Sequence, residues 1–415
     1  MLVIYWIGVY PGSRPGALSS SKDSSTLTSL PDTAEKTARE GLPTQITAQP
    51  EDLSAGFDAT TQKTAPTVES RQPMVLPEAT TEARQFVSDL VNLVPEDGIL
   101  TREQAGSWKQ NLQKLIQQGA PGASAIREFL AKNTDVDFGE GGADRFGYGS
   151  VRVAMFNVLA QIGGLEATSV LVEVLGTTAD PREIAILAQS LDKLEPGQHR
   201  QQALEAARQT LAMAAEQKLP DRDVAPLFEV YQKFGDAAAV ADLTKASRQW
   251  NYYSAVALAQ LADGAGLPAL IELAQTPTGA RLNALEMLTQ MSSDYPAARA
   301  AVLEMAHANT ISANMWPYLT PLLAGDQYHY RDSVFDSSSL ASSAATEAGY
   351  IPFGNQHFYT SPPIGGLTPE RAEQQNAFID ELVSAASDPS ALQALQRAKE
   401  LIARRVSQVV VSYGP

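Results

Sequence analysis

An all-α fold is predicted by three observations on the sequence. From Thr80 onward apolar residues recur with a period of about 3.6 residues, the spacing of one helix face. Start and stop signals cut that pattern into helix-length pieces. A two-helix unit also returns further along the chain. Leu159-Ala-Gln161 and Leu171-Val-Glu173 reappear as Leu258-Ala-Gln260 and Leu270-Ile-Glu272, an offset of 99 residues. That offset is three periods of about 33, a length typical of helical repeats.

The elements follow in order. Ala79 to Leu93 places Phe86, Leu90 and Leu93 on one side of a helix. Thr101 opens the next, with Glu103 at the positive end of its dipole. Pro121 stands where a first-turn proline is tolerated, ahead of inward-facing Ile126, Phe129 and Leu130. These helices, over 80–149, form an N-terminal cap that closes the exposed end of a core. The clearest helix follows from Ser150 to Gly164. Its apolar face is Val151, Met155, Val158, Leu159 and Ile162, with Ser150 as N-cap and Gly163-Gly164 as a left-handed stop. A second helix comes at once, with Val170, Leu171, Val174 and Leu175 on one side and Gly176 behind it. Further turns fall near Glu195-Pro-Gly197, Gly235-Asp236 and Asp294-Tyr-Pro296.

Residues 150–324, about two-fifths of the chain, therefore resemble HEAT-like (armadillo-type) helical repeats. The resemblance implies an α-solenoid of stacked helix pairs and a function carried by its surface. The fixed Trp, Gly, Tyr and Pro positions of tetratricopeptide repeats are missing, as is the Thr-Pro-Leu-His of ankyrin repeats.

Period 3.6 vanishes over 325–367, an irregular aromatic-rich insertion. It holds Tyr328, His329, Tyr330, Phe335, Tyr350, Phe353, His357, Phe358 and Tyr359 among glycines and prolines. Two readings are open for these aromatics: contact with a partner, or pinning of the loop to the array. For partner binding the candidates are Tyr328, His329, Tyr330, Phe353, His357, Phe358 and Tyr359. A C-terminal helical pair and tail occupies 368–415. Thr368 and Pro369 start its first helix, with Phe378, Ile379 and Leu382 inside; Asp388-Pro389 starts the second, where Leu392, Leu395, Ile402 and Val406 align. Val409-Val-Val411 reads either as a terminal strand or as a docking tail.

Ahead of the helices, residues 1–10 are apolar and uncharged, about half the length of a bilayer-spanning helix. Three readings are open: the end of a truncated membrane anchor, an atypical export signal, or an apolar tail. Residues 11–79 are rich in Ser, Thr and Pro and bury too little apolar surface to offset the entropy of ordering, so a disordered linker is expected. An apolar start, a polar stalk and a folded body together suit a domain anchored to the membrane of a bacterial envelope; a cytoplasmic protein with a tail is the alternative.

Composition narrows the chemistry. With 31 Lys and Arg against 47 Asp and Glu the formal net charge is −16, which disfavours nucleic acid. No cysteine is present, which removes disulfide scaffolds, thiolate metal sites and cysteine nucleophiles. The four histidines show no i, i+4 zinc pair. A weak calcium pattern runs through Asn133, Asp135 and Asp137 to Asp144, with oxygen ligands at alternate positions. Phe138 stands where such a loop needs glycine, and a plain acidic loop is the competing reading. His329 and His357 share the insertion with Asp336, Ser337, Ser338 and Ser339, but no nucleophile elbow, phosphate loop or dinucleotide fingerprint accompanies them. The expectation is a non-catalytic scaffold for one or more protein partners, without a cofactor. The alternatives are a hydrolase-like site at 326–366 and a calcium-stabilised structural domain.

Overall fold

Residues 77–92, 101–138, 147–219, 222–330, 333–335, 358–361 and 367–412 are described by the computed structural model. Residues 1–10 and nearly all of the 11–79 linker lie outside them. The described residues form an all-α body of sixteen α-helices with one two-stranded antiparallel ladder. In chain order the helices are α1 (Thr81–Asn92), α2 (Arg102–Gln117), α3 (Ala120–Leu130), α4 (Val151–Ile162), α5 (Gly164–Leu175) and α6 (Pro181–Leu194). Then come α7 (Arg200–Ala215), α8 (Ala225–Phe234), α9 (Val240–Ala246), α10 (Asn251–Gln260) and α11 (Leu267–Gln275). The last five are α12 (Arg281–Met291), α13 (Pro296–His307), α14 (Trp316–Leu323), α15 (Pro369–Ala385) and α16 (Pro389–Ser412), with strands β1 (Gln327–Tyr330) and β2 (Phe358–Ser361) between α14 and α15.

Helix starts are set locally. Thr101 and Gln104 cap α2 reciprocally, the Thr101 hydroxyl accepting from the Gln104 amide and the Gln104 side chain accepting from the Thr101 amide. Ser150, Asp180 and Thr368 accept first-turn amides of α4, α6 and α15. Gly163 and Gly164 turn the chain between α4 and α5 at φ of 64° and 75°, a region that favours glycine.

The helices alternate between two rows. In the first, α2, α4, α6, α8, α10, α12, α14 and α16 each pack on the next. In the second, α1, α3, α5 and α7 are neighbours, as are α11, α13 and α15. Between these two groups, Arg208 of α7 pairs with Asp242 of α9 at 2.7 Å, and α9 and α11 flank one surface cavity. Leu159 and Leu258 lie in first-row helices and Leu171 and Leu270 in second-row ones, and all four are fully buried.

The alternation continues through the irregular insertion. α15 packs on α13, and α16 packs on both α14 and α15, so the C-terminal pair extends the rows rather than standing apart. Three details differ from expectation. Leu392 is 40% exposed, because it lies one position off the buried stripe of Ala391, Leu395, Ala398 and Ile402. Val409 to Val411 continue α16 as helix, neither a strand nor a separate tail. A helix already formed extends at little cost, and valine is only slightly disfavoured in it. Finally, the insertion contains regular structure: β1 and β2 pair antiparallel, Gln327 opposite Ser361 and Tyr330 opposite Phe358.

Candidate functional site

Besides the paired Arg152 and Glu183, two charged residues interrupt the apolar interior of first-row helices. Glu229 sits in α8 within Leu227-Phe-Glu-Val-Tyr231, and Glu286 in α12 within Ala284-Leu-Glu-Met-Leu288. Both are buried, at 4% and 3% exposure. Glu229 is two positions from Tyr231, so it points about 200° around the helix from it. Tyr231 faces Arg208 and Asp242 of the second row, which turns Glu229 toward the outer side of the first. A buried carboxylate needs partners, because an unsatisfied one costs several kcal/mol of solvation.

Those partners come from the insertion, which runs back across the first row. Arg405 of α16 holds its start, binding the Ala324 carbonyl and the Asp326 carboxylate, the latter at 2.7 Å. The Tyr328 amide donates to Gln290 Oε1 of α12 at 2.9 Å. The Tyr328 ring meets Tyr252 of α10 edge-on, with centroids 5.4 Å apart, and its hydroxyl hydrogen-bonds Glu286, which Asn283 also contacts at 3.0 Å. Farther along, Glu229 Oε2 accepts three bonds from consecutive residues: the Ser333 hydroxyl at 2.5 Å and the amides of Val334 and Phe335 at 3.0 and 3.4 Å. Gln189 of α6 donates to the Val334 carbonyl at 2.7 Å. The Phe335 ring meets Phe234 edge-on at 5.8 Å.

Residues 326–328 and 333–335 thus touch α16, α12, α10, α8 and α6 in turn. Most of the polar contacts go to the backbone of the insertion: Gln290 accepts, Glu229 accepts twice and Gln189 donates. Side chains that read amides and carbonyls recognise an extended chain largely without regard to its sequence, while Tyr328, Ser333 and Phe335 add selection.

Burial pushes the Glu229 carboxyl from its ordinary 4.5 up to about 7, against the downward pull of Ser333, Phe335, Val334 and Arg182. Glu286 is raised for the same reason, opposed by Asn283 and Tyr328. Burial also raises the Tyr252 and Tyr328 hydroxyls well above the usual tyrosine range.

Of the candidate aromatics, Tyr328 pins the insertion to the array. His329 and Tyr330 pair through their backbones with Tyr359 and Phe358. Phe353 and His357 lie outside the described residues, as do Asp336 and Ser337 to Ser339. In the calcium pattern, Asp135 Oδ1 accepts the Arg152 amide at the start of α4 at 2.9 Å, and the backbone at Asp137 stands antiparallel to Ser150, with the Phe138 amide donating to the Gly149 carbonyl and the Val151 amide to the Val136 carbonyl. Phe138 is buried against Trp108, centroids 5.5 Å apart, and Asp144 lies outside the described residues. Among the described residues no group of three or more His, Asp or Glu is placed to hold a metal ion, and no helix is long and apolar enough to cross a membrane.

Sequence reasoning missed Gln189, Glu229, Glu286 and Gln290. The two glutamates left a signal: a lone carboxylate inside an all-round apolar helix is a buried one with a partner elsewhere. The glutamines left none. No protein-family model matches the chain, and neither a curated protein nor a solved structure matches it.

Proposed function

We propose that the chain is a non-catalytic scaffold for protein partners, an α-solenoid of HEAT-like helix pairs whose first-row face receives extended polypeptide. One observation carries the reading. Side chains from α6, α8 and α12 are arranged to hydrogen-bond the backbone of a chain crossing the row, through Gln189, Glu229 and Gln290. Such backbone recognition is what binding of an extended segment requires. The net charge of −16 disfavours nucleic acid as the ligand. Residues 1–10 would tether the body to a bacterial membrane, the Ser/Thr/Pro-rich stretch serving as the stalk; recovery of the full chain wholly in the soluble fraction would remove that part of the reading.

Crosslinking in intact cells, followed by mass spectrometry, tests the scaffold. A recurrent second polypeptide joined to residues of the two helix rows is the expected result. If no such polypeptide recurs in either soluble or membrane fractions, the scaffold reading fails.

A further inference from the structure

Among the described residues Glu229 is satisfied by residues 333–335 and the attraction of Arg182, and its environment without residues 333–335 would be a carboxylate on a surface lined by Phe234. The first row therefore carries a site built for a chain that lies across it. Its chemistry can be read from the occupant. One carboxylate oxygen takes a hydroxyl and then the next two amides; a glutamine side chain takes the intervening carbonyl; an aromatic ring takes the aromatic side chain that follows. Ser333-Val334-Phe335 supplies each of these in order. None of these contacts is part of the helix rows themselves, which are joined by their own apolar cores.

We propose that the face from Gln189 to Phe234 is a peptide-binding groove selective for a hydroxyl residue followed by an aliphatic and an aromatic one, that residues 333–335 occupy it as an internal ligand, and that a partner protein bearing this pattern binds by displacing them. The inference rests on the scaffold reading and adds to it the partner's sequence chemistry and a self-occupied resting state. The occupant is held at its other end by Tyr328 and by Arg405 with Asp326, so displacement of 333–335 leaves the segment attached to the molecule and able to return. A ligand that must compete with an internal one has its apparent affinity reduced by the fraction of time the groove is open.

The test uses the full chain and a fluorescent peptide with the sequence of residues 326–336, titrated by anisotropy. The double variant Ser333→Ala, Phe335→Ala weakens the internal ligand and leaves the groove intact. It should bind the peptide about tenfold or more tightly than the wild type does, with a scrambled peptide far weaker. Adding Glu229→Leu should remove the gain. Equal affinity of wild type and double variant, or of authentic and scrambled peptides, at unchanged helicity, would overturn the proposal. Native-state hydrogen exchange on the wild type covers the case in which the variants fail to fold. The Val334 and Phe335 amides should exchange through local opening, faster than the core amides of α8, and faster still with excess peptide. Exchange only on global unfolding would overturn it. A mass doubling by light scattering, with the segment exchanged between copies, would also overturn it, replacing the partner with a second copy of this chain. Peptide failure together with recurrent crosslinks would place the partner on another face and leave the scaffold reading standing.

Discussion

Glu229 and Glu183 are both buried acids in first-row helices, and their different partners give them different sensitivities. Arg152 meets Glu183 through two bonds, at 2.6 and 3.0 Å, with side-chain exposures of only 7% and 11%, and Thr178 also donates to Glu183. Removing one member of such a pair strands the other charge. Glu183→Ala should therefore cost about 3–5 kcal/mol in urea unfolding. Arg152→Met with Glu183→Leu together should cost much less, since both charges leave at once. Among the described residues Glu229 has hydrogen bonds and the attraction of Arg182 but no ion pair, and burial outweighs them, so it responds to pH. Its carboxyl holds its proton more tightly in the folded state than in the unfolded one, where the value is 4.5, so acid favours the fold. This stabilisation is complete below about 4.5 and is lost as the pH rises through about 7. With its proton on Oε1, the neutral acid keeps these contacts, because Oε2 is then the carbonyl oxygen that accepts the Ser333 hydroxyl and both amides. Glu286 is raised by burial too and adds in the same direction. Unfolding free energy should fall by roughly 1–3 kcal/mol between pH 5 and pH 8. Glu229→Gln should flatten most of that slope; a slope unchanged in the variant would assign it to other groups.

At the scale of single elements, local signals explain where helices begin and how close they come. α10 and α11 approach so tightly that a Cβ on Gly266 would run into the Leu258 carbonyl. Gly266→Ala should therefore lower stability by about 1–3 kcal/mol, read as a drop in Tm, whereas Ala at the open Gly106, inside α2, should raise it by about 0.5–1 kcal/mol. Helix faces were legible from sequence because burial follows period 3.6. Val170, Leu171, Val174 and Leu175 are all buried as the spacing predicts, as are Phe378, Ile379 and Leu382. Leu392 misled because hydrophobicity alone does not fix which of two adjacent residues faces the core, and alanines fill the stripe beside it. The insertion was legible only as an interruption. Gln189 and Val334 are far apart in sequence and their bond leaves no periodic trace, so no local pattern announces which helix a loop will cross. Tyr328 was recognisable as an aromatic in an irregular stretch, but its anchoring role depends on Tyr252 and Glu286, which no spacing connects to it.

Across the whole molecule, the two rows are built from neighbour contacts that pass over the insertion without using it. α15 is held by α13 and α16, and α16 by α14 and α15; the insertion adds the Arg405 contacts with Ala324 and Asp326 at its root. In an array stabilised between neighbours, removing a covering segment costs the local contacts it made and leaves the interfaces between helices in place. Tyr330 and Phe358 are cross-strand partners, so a short turn can join them directly. A chain in which such a turn replaces residues 331–357 keeps β1, β2 and the Tyr328 anchor but loses Ser333, Val334 and Phe335. It should retain the helical content of the parent by circular dichroism and unfold in one transition. Its first-row face would expose Phe234 and give Glu229 back to water, so the pH-dependent part of its stability should shrink and its binding of an apolar dye should rise. Loss of helicity in that chain would mean that the covering segment holds the first row together, and the rows could not then be regarded as independent of what lies across them.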